Sequence, residues 1–179
     1  MLRKLVISLI VAATATGSAA VGAAPTNTRP ARPVTLGQIF LATAKYTRLS
    51  VAQHDQYGKL LDKDGIACID MPGMGAMGVH YVNGDLVKTD SIDPLHPEAL
   101  VYEPETRNRS RLVALEYIVD KAAWDAKHST APALFGHRFN STPAGNRFGL
   151  PAYYSLHVWL FKHNPAGEFT MWNPEVHCK

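Results

Sequence analysis

Cysteine is nearly absent from this sequence, charge of one sign is not in excess, and the loops that bind phosphate or present a serine nucleophile are missing. Only Cys68 and Cys178 are cysteine among 179 residues, so stability has to come from a core rather than from dense cross-linking. A mature chain of roughly 155 residues buries about 70% of its unfolded surface, which is enough for that. Eighteen Lys and Arg stand against fifteen Asp and Glu. Two of the basic residues, Arg3 and Lys4, belong to an N-terminal leader, and without them the balance is close to neutral. That balance gives no electrostatic case for nucleic acid or for an anionic membrane surface as a partner. No Gly-x-Ser-x-Gly turn occurs. The glycine-rich stretch Gly73–Gly78 leads into a strand-like run rather than a helix, which excludes a phosphate cradle. No internal repeat is visible.

The leader has the layout of a secretory signal. Arg3 and Lys4 precede an apolar run, Leu5 to Ala15, and small residues continue to Ala24. The apolar core is too short for a spanning helix, and no cysteine follows where lipid anchoring would need one. Residues 1–24 are therefore read as a signal peptide, 25–34 as a flexible Pro-containing lead-in, and 35–179 as a single globular domain, secreted or periplasmic, with no membrane association once the signal is removed. In an oxidising compartment two cysteines pair more readily than they stay free, so a Cys68–Cys178 disulfide is expected.

Elements follow from periodicity. Thr35 caps a helix with Leu36, Ile39, Phe40 and Thr43 on one stripe, and a second amphipathic segment covers Ser50–Leu61. Short strands are expected at Ile66–Asp70, Gly78–Val82 and Ala99–Tyr102, with a turn at Asn83-Gly84-Asp85. Arg111–Val119 and Ala152–Lys162 are apolar on both alternating faces, the mark of strands covered on two sides. Asn164-Pro165-Ala166-Gly167 is a turn after which Glu168–Trp172 returns antiparallel. Helices first and strands later give an α+β fold, with N-terminal amphipathic helices packed on a twisted, mainly antiparallel sheet; a small β-barrel with outer helices is the alternative.

Several stretches together resemble a family of small exported bacterial proteins. They are Ala42-Thr-Ala-Lys-Tyr46, Met77-Gly-Val-His-Tyr-Val-Asn83, Asp93-Pro-Leu-His-Pro-Glu-Ala-Leu-Val-Tyr-Glu-Pro104, Leu112–Val119, Gly149–Leu160, His163–Gly167 and Trp172–Pro174. The family has no assigned activity. The resemblance implies export and a single domain, and it carries over no catalytic residue.

Chemistry is suggested by polar residues in apolar places. Glu116 and His157 each interrupt a two-faced apolar strand, and His80 sits in a third. A buried carboxylate is costly unless paired, protonated or on a metal. Two histidines and one carboxylate meeting inside a sheet would form a site for iron or zinc with open positions. The series Met71-x-x-Met74-x-x-Met77-x-x-His80 adds soft thioethers that suit copper, with Met74 and Met77 as the candidate ligands. Each feature has a plainer reading: methionines fill gaps in cores, and Glu116 can be satisfied by Tyr81, Tyr102 or an arginine. The expectation is an exported protein that binds a transition metal or a small ligand. The alternative is a metal-free binding or interaction domain whose pocket is lined by Tyr81, Tyr102, Tyr153, Trp159 and Trp172.

Overall fold

The computed structural model describes residues 33–88, 90–106 and 109–178. The signal peptide and all but the end of the lead-in lie outside the described residues. Thr35 closes a capping box with Gln38, its side chain accepting from the Gln38 amide while Gln38 reaches back to the Thr35 amide. This reciprocal bonding satisfies N-terminal donors of the first helix, α1 (Leu36–Thr43). A single 3₁₀ turn at Ala44–Thr47 leads to α2 (Leu49–His54). The second helical segment is shorter than its sequence suggests. It stops at His54 because Gln56 takes a positive φ of 68°, and Gly58–Lys59 already pair as β1. Tyr57, expected on the helix, serves the core from the turn, and its hydroxyl donates to the Pro97 carbonyl at 2.8 Å.

The remaining elements are β2 (Cys68–Met71), β3 (Gly75–Val82), α3 (Gly84–Val87), β4 (Ala99–Pro104), β5 (Ser110–Asp120), α4 (Lys121–Asp125), β6 (Ala133–Leu134), β7 (His137–Arg138), β8 (Asn140–Thr142) and β9 (Tyr153–Val158). Seven strands form an open sheet in the order β1-β3-β4-β5-β9-β8, with β2 also pairing β3, and β6–β7 is a separate hairpin. Among the described residues each pairing is antiparallel. The fold is therefore α+β with an open sheet, and the barrel alternative does not form.

Short helices cover one face of the sheet. Ile39, Tyr46, Ala52 and Tyr57 pack there on Tyr81, Leu100, Tyr102, Leu112 and Leu115. The same face continues over Tyr117, Val119, Tyr154, Leu156 and Val158. The Tyr102 hydroxyl donates to the Tyr46 carbonyl at 2.7 Å, which satisfies the phenol inside the core. The opposite face is divided. At one end Ala76, Val101, Val113 and Ala114 pack with Trp159, Val176 and Cys178, so the C-terminal segment covers it. At the other end the segment around residues 146–152 covers a cavity.

Two β-bulges set which residues reach each face. Between β4 and β5 the register jumps from Val101↔Ala114 to Tyr102↔Leu112, leaving Val113 as the extra residue. Strict alternation would put Leu112 with Ala114 and Glu116; the bulge instead places Leu112 in the helix-side cluster with Leu115. Between β2 and β3, Met77 is the extra residue.

Other elements differ from the sequence reading for local reasons. Asn83 accepts from the amides of Asp85 and Leu86 and so caps α3 instead of making a hairpin turn. β9 ends at Val158, and Glu168–Trp172 forms no strand. The chain is held there by single bonds: the Trp159 amide to the Glu168 carbonyl at 2.9 Å, and the Trp159 indole to the Thr170 carbonyl at 2.7 Å. The expected disulfide is present between Cys68 and Cys178. It fixes the C-terminal segment to β2 and fits an oxidising compartment. Among the described residues no helix is long and apolar enough to cross a membrane.

Candidate metal centre

His80, Glu116 and His157 come from three different strands and meet on the face away from the helices. Glu116 and His157 are direct cross-strand partners. His80 lies two strands away, on β3, with β4 between. Neighbouring strands are about 4.8 Å apart, so β3 and β5 are separated by roughly 10 Å. His80 pairs with Val101 and Glu116 with Ala99, so the two side chains reach toward each other diagonally over β4, past the short side chain of Ala99.

The resulting geometry is tight. His80 Nε2 lies 3.2 Å from His157 Nε2 and 3.3 Å from Glu116 Oε2. His157 Nδ1 lies 3.6 Å from Glu116 Oε1. One candidate ligand atom from each residue falls within 4.8 Å of the others, so the triad can hold a metal ion. The residues are 4%, 6% and 1% exposed for His80, Glu116 and His157. Burial pushes both imidazoles down to about 4; for His80 the Glu116 charge opposes that shift and His157 adds to it. Both rings are thus neutral at ordinary pH, the state in which imidazole ligates a metal. Burial pushes the Glu116 carboxyl up, against the pull of His80 and of a hydrogen bond with Ser155.

The site does not satisfy itself. Nδ1 of His80 and Nδ1 of His157 are buried without a hydrogen-bond partner among the described residues. Two such atoms in one cluster are unusual where most buried polar atoms are paired; they are the nitrogens opposite the Nε2 atoms that converge within the triad. The tyrosines offered by the plainer reading of Glu116 are not available, because Tyr81 and Tyr102 lie in the helix-side core. No arginine fills the gap either: Arg147, at the cavity wall, is paired with Asp62 at 2.7 Å.

The triad forms part of the wall of a cavity of about 410 Å³. Leu60, Val82, Val87, Ile118, Phe148 and Leu150 supply much of the rest. Phe148 meets the His80 ring edge-on, with centroids 6.4 Å apart. The sequence gives no sign of this cover, because Ser129–Leu150, rich in Pro, Gly, Asn and Ser, reads as a long surface excursion. It is pinned instead. Both Arg147 Nε and Nη2 donate to Asp62 Oδ2, at 3.2 and 2.7 Å, and the Lys63 amide donates to the Arg147 carbonyl at 3.0 Å.

The methionines separate. Met77, at the β3 bulge, lines the cavity with the triad. Met71 and Met74 flank the β2–β3 turn and are 40% and 49% exposed. Met74 lines a second cavity with Gly73, Phe169 and Trp172. The spacing of three does not gather the thioethers on one face, since a turn and a bulge both interrupt it. The five aromatic residues proposed for a common pocket also disperse: Tyr153 lines the main cavity, Trp159 belongs to the C-terminal packing cluster, and Trp172 lines the second cavity. Comparison with family models, with curated proteins and with solved structures gives no match for this chain.

Proposed function

We propose that this is an exported protein that binds one divalent transition metal ion through His80, Glu116 and His157. The observation that carries the reading is the convergence of three buried ligand side chains from three strands. The spacing supports it. With metal–nitrogen bonds of about 2.0–2.1 Å, the ligand–ligand edge of a tetrahedral site is about 3.3 Å, against 3.2 and 3.3 Å between the converging atoms. Neutral imidazoles and one carboxylate suit Zn(II) or Fe(II). Copper held by a methionine pair has less support, because Met74 is half exposed and away from the triad's cavity. Three protein ligands leave a position for water or a ligand, which is the arrangement of a working centre rather than a purely structural one. The disulfide, which suits an oxidising compartment, supports export.

The test is metal analysis of protein purified from its native compartment. One equivalent of zinc or iron is expected, lost in His80→Ala and in His157→Ala. Ala99→Leu, which keeps all three ligands but fills the space between their strands, should lose it as well. A metal-free protein in which the histidine variants are merely less stable overturns the reading. The large apolar cavity would then favour a metal-free ligand-binding domain.

A further inference from the structure

The cavity is the feature that says most about what meets the metal. Its volume of about 410 Å³ equals roughly fourteen water molecules at about 30 Å³ each. That is within the range of small-molecule sites, which are mostly apolar with a few converging polar groups. Here one cluster of potential ligand atoms lies in the wall, the His80, Glu116 and His157 triad. Asn146 is spent on its own loop, donating to the Pro143 and Leu150 carbonyls and accepting from the Phe148 and Leu150 amides. Arg147 is spent on Asp62. Asp120 caps α4 by accepting from the Ala123 amide. The triad is the ionisable cluster left for a ligand, with the Thr142, Tyr153 and Ser155 side chains also in the lining and apolar walls at Leu60, Val82, Val87, Ile118 and Leu150.

Charge then selects the head group. A divalent ion with two neutral imidazoles and one carboxylate carries a net charge of about +1. It lies in a site removed from water, where that charge is poorly screened. An anionic oxygen donor neutralises it and completes the coordination. We infer that the cavity binds a small amphiphile, with one carboxylate-type head on the metal held by His80, Glu116 and His157 and an unbranched or compact apolar body against Ile118, Val82 and Phe148. The inference rests on the metal reading above, and it adds the ligand class.

Sodium octanoate is the probe, with ten heavy atoms for this volume; acetate and octanol are its controls. Metal content is measured first, and binding is then followed by calorimetry on the metal-loaded protein. Six extra methylenes at about 0.8 kcal/mol each amount to roughly three-thousandfold if all are buried, so octanoate should bind at least about a hundredfold tighter than acetate. It should also bind at least tenfold tighter than octanol, which has the tail without the charge. Ile118→Trp and Ala152→Phe, which narrow the cavity without touching a ligand residue, should abolish octanoate binding while metal content stays at one equivalent. Metal retained with octanoate no tighter than acetate overturns the ligand class and leaves the metal site standing. Octanol equal to octanoate overturns the role of the charged head. A protein that retains no metal overturns both readings together.

Discussion

Removing the Cys68–Cys178 disulfide tests how the C-terminal segment contributes to stability. The bond joins residues 110 apart. In the chain-entropy treatment a loop of that size restricts the unfolded chain by about 5 kcal/mol at 25 °C. The native state should survive its loss, because other contacts hold the same segment. The Ala76 and Asn173 amides exchange bonds with each other's carbonyls, at 3.1 Å each, and Val176 is fully buried against Ala76 and Val113. The double variant Cys68→Ala/Cys178→Ala should therefore fold to the same structure and lose about 5 kcal/mol. For a folded unit of Pro33–Lys179 the unfolding entropy is about 0.3 kcal/mol/K, so Tm should fall by roughly 15 °C. Urea unfolding followed by tryptophan fluorescence reads the loss directly, and the m-value should rise as the unfolded chain is freed from its cross-link. A loss below about 1 kcal/mol with an unchanged m-value would refute the reasoning, since it would mean that the unfolded chain is already as compact as the cross-linked one.

Two further outcomes follow from backbone crowding and from burial. Gly75 has φ +87°, and a Cβ there would lie 2.1 Å from the Asn173 carbonyl oxygen and 2.4 Å from Pro174 Cα; Gly75→Ala should cost at least about 2 kcal/mol in thermal unfolding, where an ordinary exposed substitution stays within about 0.5. Glu98 is buried, and desolvation pushes its carboxyl up from 4.5 to about 7 while the Ile118 amide, donating to it at 2.9 Å, pulls the other way. A folded pKa above the unfolded one means that this group's contribution is fully present below about pH 4.5 and is lost as pH rises through 7. Glu98→Gln should therefore remove a fall of roughly 3 kcal/mol between pH 4.5 and 8. Urea titrations of both proteins at the two pH values check this, and an unchanged difference between them would contradict it.

Much of the fold could be read in the chain because its signals were local. Thr35 and Gln38 state a helix start in four residues, and the two-faced apolar runs of β5 and β9 require cover on both sides. The site was legible for the same reason: Glu116 and His157 break those runs, and no packing argument accounts for them. What the sequence concealed is non-local. Whether His80 can reach Glu116 depends on the strand between them and on Ala99 being small, and strand order has no local signature. The β5 bulge has none either, so Leu112 read as a companion of Glu116 when it belongs with Leu115. The cover over the cavity was hidden because its anchor, Arg147, finds its partner at Asp62, eighty-five residues earlier.

The bulge at Val113 also sets where this strand tolerates a change of length. Val113 is the one residue of the β4–β5 pairing without an opposite number, so losing it would leave regular alternation and keep Leu112 toward the helices and Glu116 toward His157. The stretch Leu115–Asp120 pairs residue for residue with β9. A single deletion there turns the rest of the strand over and carries its side chains to the wrong face. Homologous chains that differ in length along β5 should therefore do so before Ala114, with the spacing from the carboxylate to the end of the strand held constant.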